Sequence, residues 1–131
     1  MKQVAKIVII DQNDLYLLLY RNNHPIFGND PDLPGGTIED GESTIDATIR
    51  ELREEVCITI EKSMLKKVIS SRNYSLHGTN YTLFTIKLDE SPEITLSWEH
   101  TSYSWLSYTN FLEKIKNAND TYMHMVYDAL T

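Results

Sequence analysis

The stretch that most constrains this chain runs from Pro34 to Ile58, PGGTIEDGESTIDATIRELREEVCI, and concentrates acidic residues around one short segment. Apolar residues recur there at intervals of four, three and four, which places them on one face of a helix. The four residues concerned are Ile45, Ile49, Leu52 and Val56. We therefore predict a helix over Ser43 to Val56 that packs this face against a core.

Three glutamates of this predicted helix, Glu51, Glu54 and Glu55, are three or four residues apart and project from nearly the same side, away from the apolar face. Like charges at this spacing repel one another. One interpretation is a solvated polar face, which is usual on an amphipathic helix. The other is a site for a hard divalent cation, because Mg2+ and Mn2+ prefer carboxylate oxygens. Only the second explains why the repulsion is tolerated.

Composition limits the class of protein. The chain has 131 residues, a formal net charge of -7 and one cysteine, Cys57. The length suits a single domain, and one cysteine cannot form an internal disulfide. Asp11 interrupts the first apolar run before it could cross a membrane, and the negative charge disfavours stable binding to nucleic acid or an anionic membrane. We expect a cytoplasmic protein, monomeric or homodimeric, that acts on a small molecule.

The rest of the chain predicts an α+β fold. Apolar, β-prone runs predict strands over Val4 to Ile10, Leu15 to Tyr20, Ile58 to Ile60, Lys67 to Tyr74, Tyr81 to Leu88 and Tyr103 to Leu106. Two short helices are expected near the end, over Asn110 to Lys116 and Asp120 to Leu130. The segment RNNHPIFGNDPDLPGG, rich in proline, glycine and asparagine, is interpreted as a functional loop.

The spacing within the acidic stretch resembles a known motif. Gly36 is followed after five residues by Glu42, and after seven more by the run RELREEVCI, which begins at Arg50. This pattern resembles the Nudix box over residues 36–58, GxxxxxE, seven spacers and REUxEExGU with U aliphatic. Cys57 stands where the family has glycine. The resemblance implies one Nudix hydrolase domain over residues 1–131, with a mixed β-sheet sandwiched between helices in an α/β/α arrangement.

Family roles transfer to matching residues as implications of this resemblance. Glu51, Glu54 and Glu55 match the metal ligands for Mg2+ or Mn2+, and Glu51 also matches the base or water-orienting group. The carbonyl near Gly35 is implied as a further ligand. Glu99 resembles an acid that the family supplies from a loop before a late strand, which implies a metal or base role; the alternative is a solvated acid at the rim. The planar guanidinium of Arg50 can hold Glu51 charged and aimed.

The resemblance implies hydrolysis of a nucleoside diphosphate linked to another group. The MutT-like type is favoured, which converts a (deoxy)nucleoside triphosphate, including oxidised ones, to the monophosphate and pyrophosphate. Dinucleoside polyphosphate and ADP-ribose pyrophosphatases are the alternatives, although the ADP-ribose group tends to carry proline where this chain has Asn73. Candidate substrate-binding residues are Arg21, Phe27, Tyr74 and Asn119.

A non-catalytic Nudix-like nucleotide-binding module is an alternative from another class. The retained glutamates argue against it, because such modules usually lose them. No covalent nucleophile is needed for hydrolysis by water, so Cys57, between Val56 and Ile58, is interpreted as a buried structural thiol. A glycine at that position would suit a helix end with positive φ, so Cys57 either has negative φ or is strained.

Overall fold

The computed structural model describes residues 2–131, and its centre is one mixed sheet. The elements in chain order are β1 Gln3–Ile10, β2 Tyr16–Arg21, β3 Pro31–Asp32, β4 Gly35–Thr37, α1 Thr44–Val56, a 3-10 turn Lys62–Met64, β5 Lys66–Ser71, β6 Asn80–Lys87, β7 His100–Leu106, α2 Tyr108–Lys116 and α3 Tyr122–Leu130. The sheet has the order β3-β2-β1-β6-β5, with β4 paired to β1 and β7 paired to β2. Only β1 and β6 run parallel among these pairs, so the sheet is mixed.

Alternation along β1 divides the core between two faces of the sheet, since successive strand side chains point in opposite directions. Ile7 and Ile9 pack with Leu52 and Val56 of α1. Val8 lies in a second cluster, with residues of α2 and α3. The chain therefore forms the α/β/α arrangement expected from its sequence.

Most predicted elements are confirmed, and the exceptions are short or irregular. Helix α1 begins one residue after the predicted start because Ser43 is its N-cap, with the hydroxyl accepting the Asp46 N–H at 3.0 Å. The strand predicted over Ile58 to Ile60 is wrong: both isoleucines are buried, but their backbone forms no strand. Strand β5 ends at Ser71, before Tyr74. None of the helices in residues 2–131 is long and apolar enough to cross a membrane.

The prediction of a buried thiol at Cys57 is wrong. Cys57 is exposed and ends α1 in the left-handed conformation, with φ 60° and ψ 34°. This is the conformation that favours glycine, because a Cβ approaches the backbone there. The box glycine is therefore replaced without a change in how the helix ends.

Cys57→Gly is expected to stabilise the protein by about 1 kcal/mol, because glycine adopts the left-handed conformation without the steric strain of a Cβ. The exposed thiol makes no buried contact that would be lost. Turnover should stay unchanged. Urea unfolding of the two proteins measures the difference in free energy. A clear loss of stability in the glycine variant would contradict strain at this position.

Candidate active site

One cleft gathers most of the residues that the sequence nominates. It has a volume of about 780 Å³ and lies against the amino half of β1, β4 and one side of α1. The nominated residues that line it are Arg21, Phe27, Gly35, Arg50, Glu51, Glu54 and Glu99. Tertiary structure thus brings together groups from the box, from the end of β2 and from the turn before β7.

Close packing between β4 and α1 sets the position of Glu51. A Cβ built on Gly36 would lie 2.5 Å from Glu51 Oε1 and 2.7 Å from its Cδ. Real Cβ atoms do not approach other atoms this closely, so only glycine leaves room for this carboxylate. The first glycine of the box is therefore part of the site, since it makes the space that Glu51 occupies.

Arg50 is the counter-charge for the acidic cluster. Its guanidinium donates to Glu42 through Nε at 2.8 Å and Nη2 at 3.1 Å, a bidentate pair. Nη1 donates to Glu51 at 3.1 Å and Glu54 at 3.2 Å. The hydrogen bonds from Arg50 lower the pKa of Glu42, and contact with Glu42 raises the pKa of Arg50. Repulsion between the glutamates is thus already reduced by an arginine in the protein.

Glu55 departs from the sequence prediction, which placed it on an outer face with Glu51 and Glu54. It is only 2% exposed, and its Oε1 accepts the Gly35 N–H at 3.1 Å. Burial raises the pKa of this carboxyl, while the ammonium of Lys6 acts in the opposite direction. Glu55 therefore lies beneath the cleft, between α1 and β4.

The donor set suits a hard cation, because carboxylate and carbonyl oxygens are the ligands that Mg2+ and Mn2+ prefer. Glu51 and Glu54 line the cleft, and Glu55 lies directly behind Gly35. Within residues 2–131, however, no three acidic, imidazole or thiol groups already converge on one point. Arg50 engages both Glu51 and Glu54, so coordination by these carboxylates requires them to leave or share that arginine.

A buried polar network along the lining of the cleft was not predicted from the sequence. Its centre is Asp32, which accepts from Lys6 Nζ at 3.0 Å and from Arg21 Nη2 at 3.3 Å. The Tyr122 hydroxyl also donates to it, and His100 Nε2 lies 3.0 Å from its second oxygen. Burial alone would raise the pKa of Asp32, but Lys6, His100 and Arg21 hold it well below its ordinary value. Two sequence features could have indicated this network: a lysine inside the apolar run VAKIVII, and an acid between the prolines of PDLP.

Arg21 and Phe27 form one wall of the cleft. The Arg21 guanidinium carbon lies 4.8 Å from the centre of the Phe27 ring, a cation–π geometry, and Arg21 Nη2 donates to Asp120 at 2.8 Å. The centre of the His24 ring lies 5.2 Å from the centre of the Phe27 ring. Both nominated residues are therefore held by partners within the protein and border the cleft.

Two nominated substrate residues do not line this cleft. The Tyr74 hydroxyl donates to Asp128 of α3 at 2.7 Å, and its carbonyl accepts the Thr121 hydroxyl. Asn119 bonds to the Asp30 carboxylate, with its backbone N–H at 3.0 Å from Oδ2. Nor is Asn119 the cap of α3, a position held by Thr121. The Tyr74 side chain thus contacts α3, whereas Asn119 joins the segment before α3 to Asp30, just ahead of β3.

Comparison with solved structures identifies the fold. The Ap4A hydrolase of C. elegans, solved as a binary complex, is 22% identical with a TM-score of 0.67, over 97% of this chain and 96% of that one. The dihydroneopterin triphosphate pyrophosphohydrolase of E. coli is 22% identical with a TM-score of 0.69, over 95% and 93% of the two chains.

A third solved structure is longer than this chain. It is a bifunctional NMN adenylyltransferase/ADP ribose pyrophosphatase from Francisella tularensis, complexed with AMP and Mn ion. That protein is 26% identical with a TM-score of 0.69, and the match covers 95% of this chain but 40% of that one. A search of curated proteins found no match.

The family itself is shown by sequence. The family model described as NUDIX domain matches residues 1–126, almost the whole chain. The match includes the glycine, the arginine and the glutamates that surround the cleft. This chain therefore belongs to the Nudix hydrolase family.

Proposed function

We propose that the protein hydrolyses a (deoxy)nucleoside triphosphate, including oxidised ones, to the nucleoside monophosphate and pyrophosphate, with Mg2+ or Mn2+ as cofactor. The observation that carries this proposal is the placement of Arg50, Glu51, Glu54 and Glu99 around one cleft large enough for a nucleotide. A pocket of a few hundred to about a thousand cubic ångströms is typical for such ligands.

Each of these groups has a role in the proposed reaction. Glu51, Glu54, Glu55, Glu99 and the Gly35 carbonyl would hold the cation. When bound, such a cation neutralises the pyrophosphate and lowers the pKa of the attacking water. Arg50 holds the Glu51 carboxylate by a hydrogen bond of 3.1 Å, so that this carboxylate can orient the water and accept its proton. Positioning and charge stabilisation account for most of the acceleration in such reactions.

The choice of a triphosphate rests on positions 73 and 74, which do not line the cleft. Tyr74 resembles, by its spacing after the box, a tyrosine of dinucleoside polyphosphate hydrolases, but here it bonds to Asp128 and does not line the cleft. Position 73 is asparagine, where the ADP-ribose group tends to carry proline. The solved structures reported above include an Ap4A hydrolase, a dihydroneopterin triphosphate pyrophosphohydrolase and an ADP ribose pyrophosphatase, so the leaving group is the part to be tested.

A substrate panel tests the proposal. Ordinary and oxidised deoxynucleoside triphosphates, ADP-ribose and diadenosine polyphosphates are incubated with Mg2+ or Mn2+, and the products are identified by chromatography. We expect a monophosphate and pyrophosphate from one or more triphosphates. Glu54→Gln, prepared in parallel, controls for contaminating phosphatases. Tight nucleotide binding without turnover of any compound would instead indicate a binding module.

Glu99→Gln is expected to lower turnover about tenfold and to raise the Mg2+ concentration needed for half-maximal rate, since a ligand charge is lost at constant size. Preference among substrates should be retained, because Glu99 is assigned to the metal rather than the base. A Mg2+ titration of the rate measures both effects. The matched control is Glu93→Gln, an exposed acid that does not line the cleft. Identical titrations for wild type and Glu99→Gln would reduce Glu99 to a surface acid.

A further inference from the structure

His100 occupies a position that a packing role alone does not explain. It is the first residue of β7 and pairs with Arg21 of β2 beside an irregularity in the register. Its side chain is only 2% exposed, whereas the next three residues of β7 are exposed. The strand therefore directs one imidazole inward, beneath the cleft, at the place where pairing with β2 is distorted.

The two ring nitrogens of His100 have different surroundings. Nε2 lies 3.0 Å from Asp32 Oδ2, and Asp32 also accepts from Lys6 and Arg21. An ionised carboxylate with two cationic partners can only accept, so Nε2 donates to it. Nδ1 is fully buried and has no hydrogen-bond partner among the described residues. A buried polar atom left in this way costs about 1–3 kcal/mol, which indicates a role beyond filling space.

The group that Nδ1 faces is a carboxylate of the proposed metal site. Glu55 Oε2 lies 3.7 Å from Nδ1, and both side chains are 2% exposed. The other oxygen of Glu55 accepts the Gly35 N–H at 3.1 Å. The carboxylate is thus held between the backbone of β4 on one side and the ring of His100 on the other, while Asp32 fixes the direction of that ring.

We propose that His100 is a positioning residue that holds Glu55 in the orientation needed to bind a divalent cation, a role that presupposes the metal-dependent hydrolysis proposed above. It is not itself a ligand, because hard cations prefer oxygen and the ring lies behind Glu55. Outer groups that orient metal ligands typically change metal affinity by 10- to 100-fold when they are replaced. The contact of the His100 ring with Glu55 therefore sets the metal affinity of the cleft.

Two substitutions separate this role from packing, since each reproduces one nitrogen of the ring. The amide nitrogen of glutamine takes roughly the place of Nε2, so His100→Gln keeps the bond to Asp32 and leaves nothing beside Glu55. The amide of asparagine takes roughly the place of Nδ1, so His100→Asn keeps a polar group beside Glu55 and loses Asp32. We expect His100→Gln to weaken Mn2+ binding tenfold or more, and His100→Asn to stay within about threefold of wild type.

The readout is direct binding of Mn2+ to the substrate-free protein, followed by the paramagnetic resonance signal of free Mn2+, with metal-free melting curves for each variant. His124→Gln, an exposed histidine on α3, is the matched control and should change neither quantity. Wild-type affinity in His100→Gln would overturn the positioning role, and so would a tenfold loss in His100→Asn. Each variant can overturn the positioning role by itself, should the other fail to fold. Absence of Mn2+ binding to the wild type would instead refute the proposed function.

Discussion

Glu55→Gln is expected to lower Mg2+-supported hydrolysis at least about a hundredfold, roughly 3 kcal/mol of transition-state stabilisation, without weakening the metal-free fold. The rate should fall because a proposed metal ligand is lost. The metal-free fold should be kept because Glu55 is a buried acid whose pKa is raised by burial. A neutral amide has the same size and charge as the protonated acid that the raised pKa favours, and it still offers an oxygen to the Gly35 N–H. The variant should therefore be as stable as wild type, or more stable, in the absence of metal.

Saturating Mg2+ should reverse this order of stability. A cation that binds only the folded state stabilises it by mass action, and the variant has lost one ligand. Melting curves with and without Mg2+, together with turnover, test the three expectations on one pair of proteins. If the substitution sharply lowers metal-free stability and leaves both the Mg2+ response and turnover intact, Glu55 is a structural residue and the metal site is wrongly assigned.

Glu55 should also make the stability of the metal-free protein depend on pH. The pKa of Glu55 is raised in the folded state above its ordinary value of 4.5. The folded protein therefore keeps a proton on Glu55 at pH values where the unfolded chain has released it. Stability from this group is present below that ordinary value and is lost as pH rises towards the folded pKa. The melting temperature of Glu55→Gln relative to wild type should therefore increase from pH 5 to pH 9. A difference that stays constant over this range would contradict the raised pKa.

Gly36 of the box and the glycine before it, Gly35, are expected to respond in different ways to alanine. Gly36→Ala should leave the fold intact to within about 1 kcal/mol and lower turnover about a hundredfold. Its Cβ would meet the end of the Glu51 side chain, at 2.5 Å from Oε1, and that side chain can move aside. A displacement of about 1 Å in a catalytic group is enough for a rate loss of this size.

Gly35→Ala should instead destabilise the protein by about 3 kcal/mol or more, a large share of the 5–15 kcal/mol typical of a domain. Gly35 has a φ of 134°, and its Cβ would overlap the backbone carbonyl of Ala5 in β1, which cannot move without disrupting the sheet. Urea unfolding and turnover of both variants provide the comparison. Equal stability of the two alanine variants would contradict this distinction between a site glycine and a fold glycine.

The sequence predicted the main helix and most strands because their signals are local. Helix α1 has an apolar repeat of three and four residues and a serine cap, and both depend only on neighbouring positions. Strands β1 and β6 are eight residues each, long enough for a β-prone run to be recognised. Strands β3 and β4 have two and three residues, too few for any periodicity, and were not predicted.

The residues of the candidate site also divide into those predicted from local spacing and those that depend on how α1 packs. Sequence spacing placed Glu51 and Glu54 on one side of the helix, because residues three and four apart share a side in any environment, and the resemblance to the Nudix box nominated Arg50. The spacing placed Glu55 on that exposed side as well. Which part of the side is covered depends on how α1 lies against β4, and the close approach at Gly35 buries Glu55.

By itself, then, the sequence determined the helix, the alternation that divides the core and the cluster of carboxylates with its arginine. Only the tertiary structure decided which carboxylate is buried and what surrounds it. Lys6 is 26 residues from Asp32, His100 is 68 and Tyr122 is 90, yet all converge on that one carboxylate. The periodicity of a helix or strand depends only on residues close together in the sequence. A buried charge, in contrast, is stable only where distant segments of the chain supply its partners. Such a network exists only after the sheet and its helices have packed.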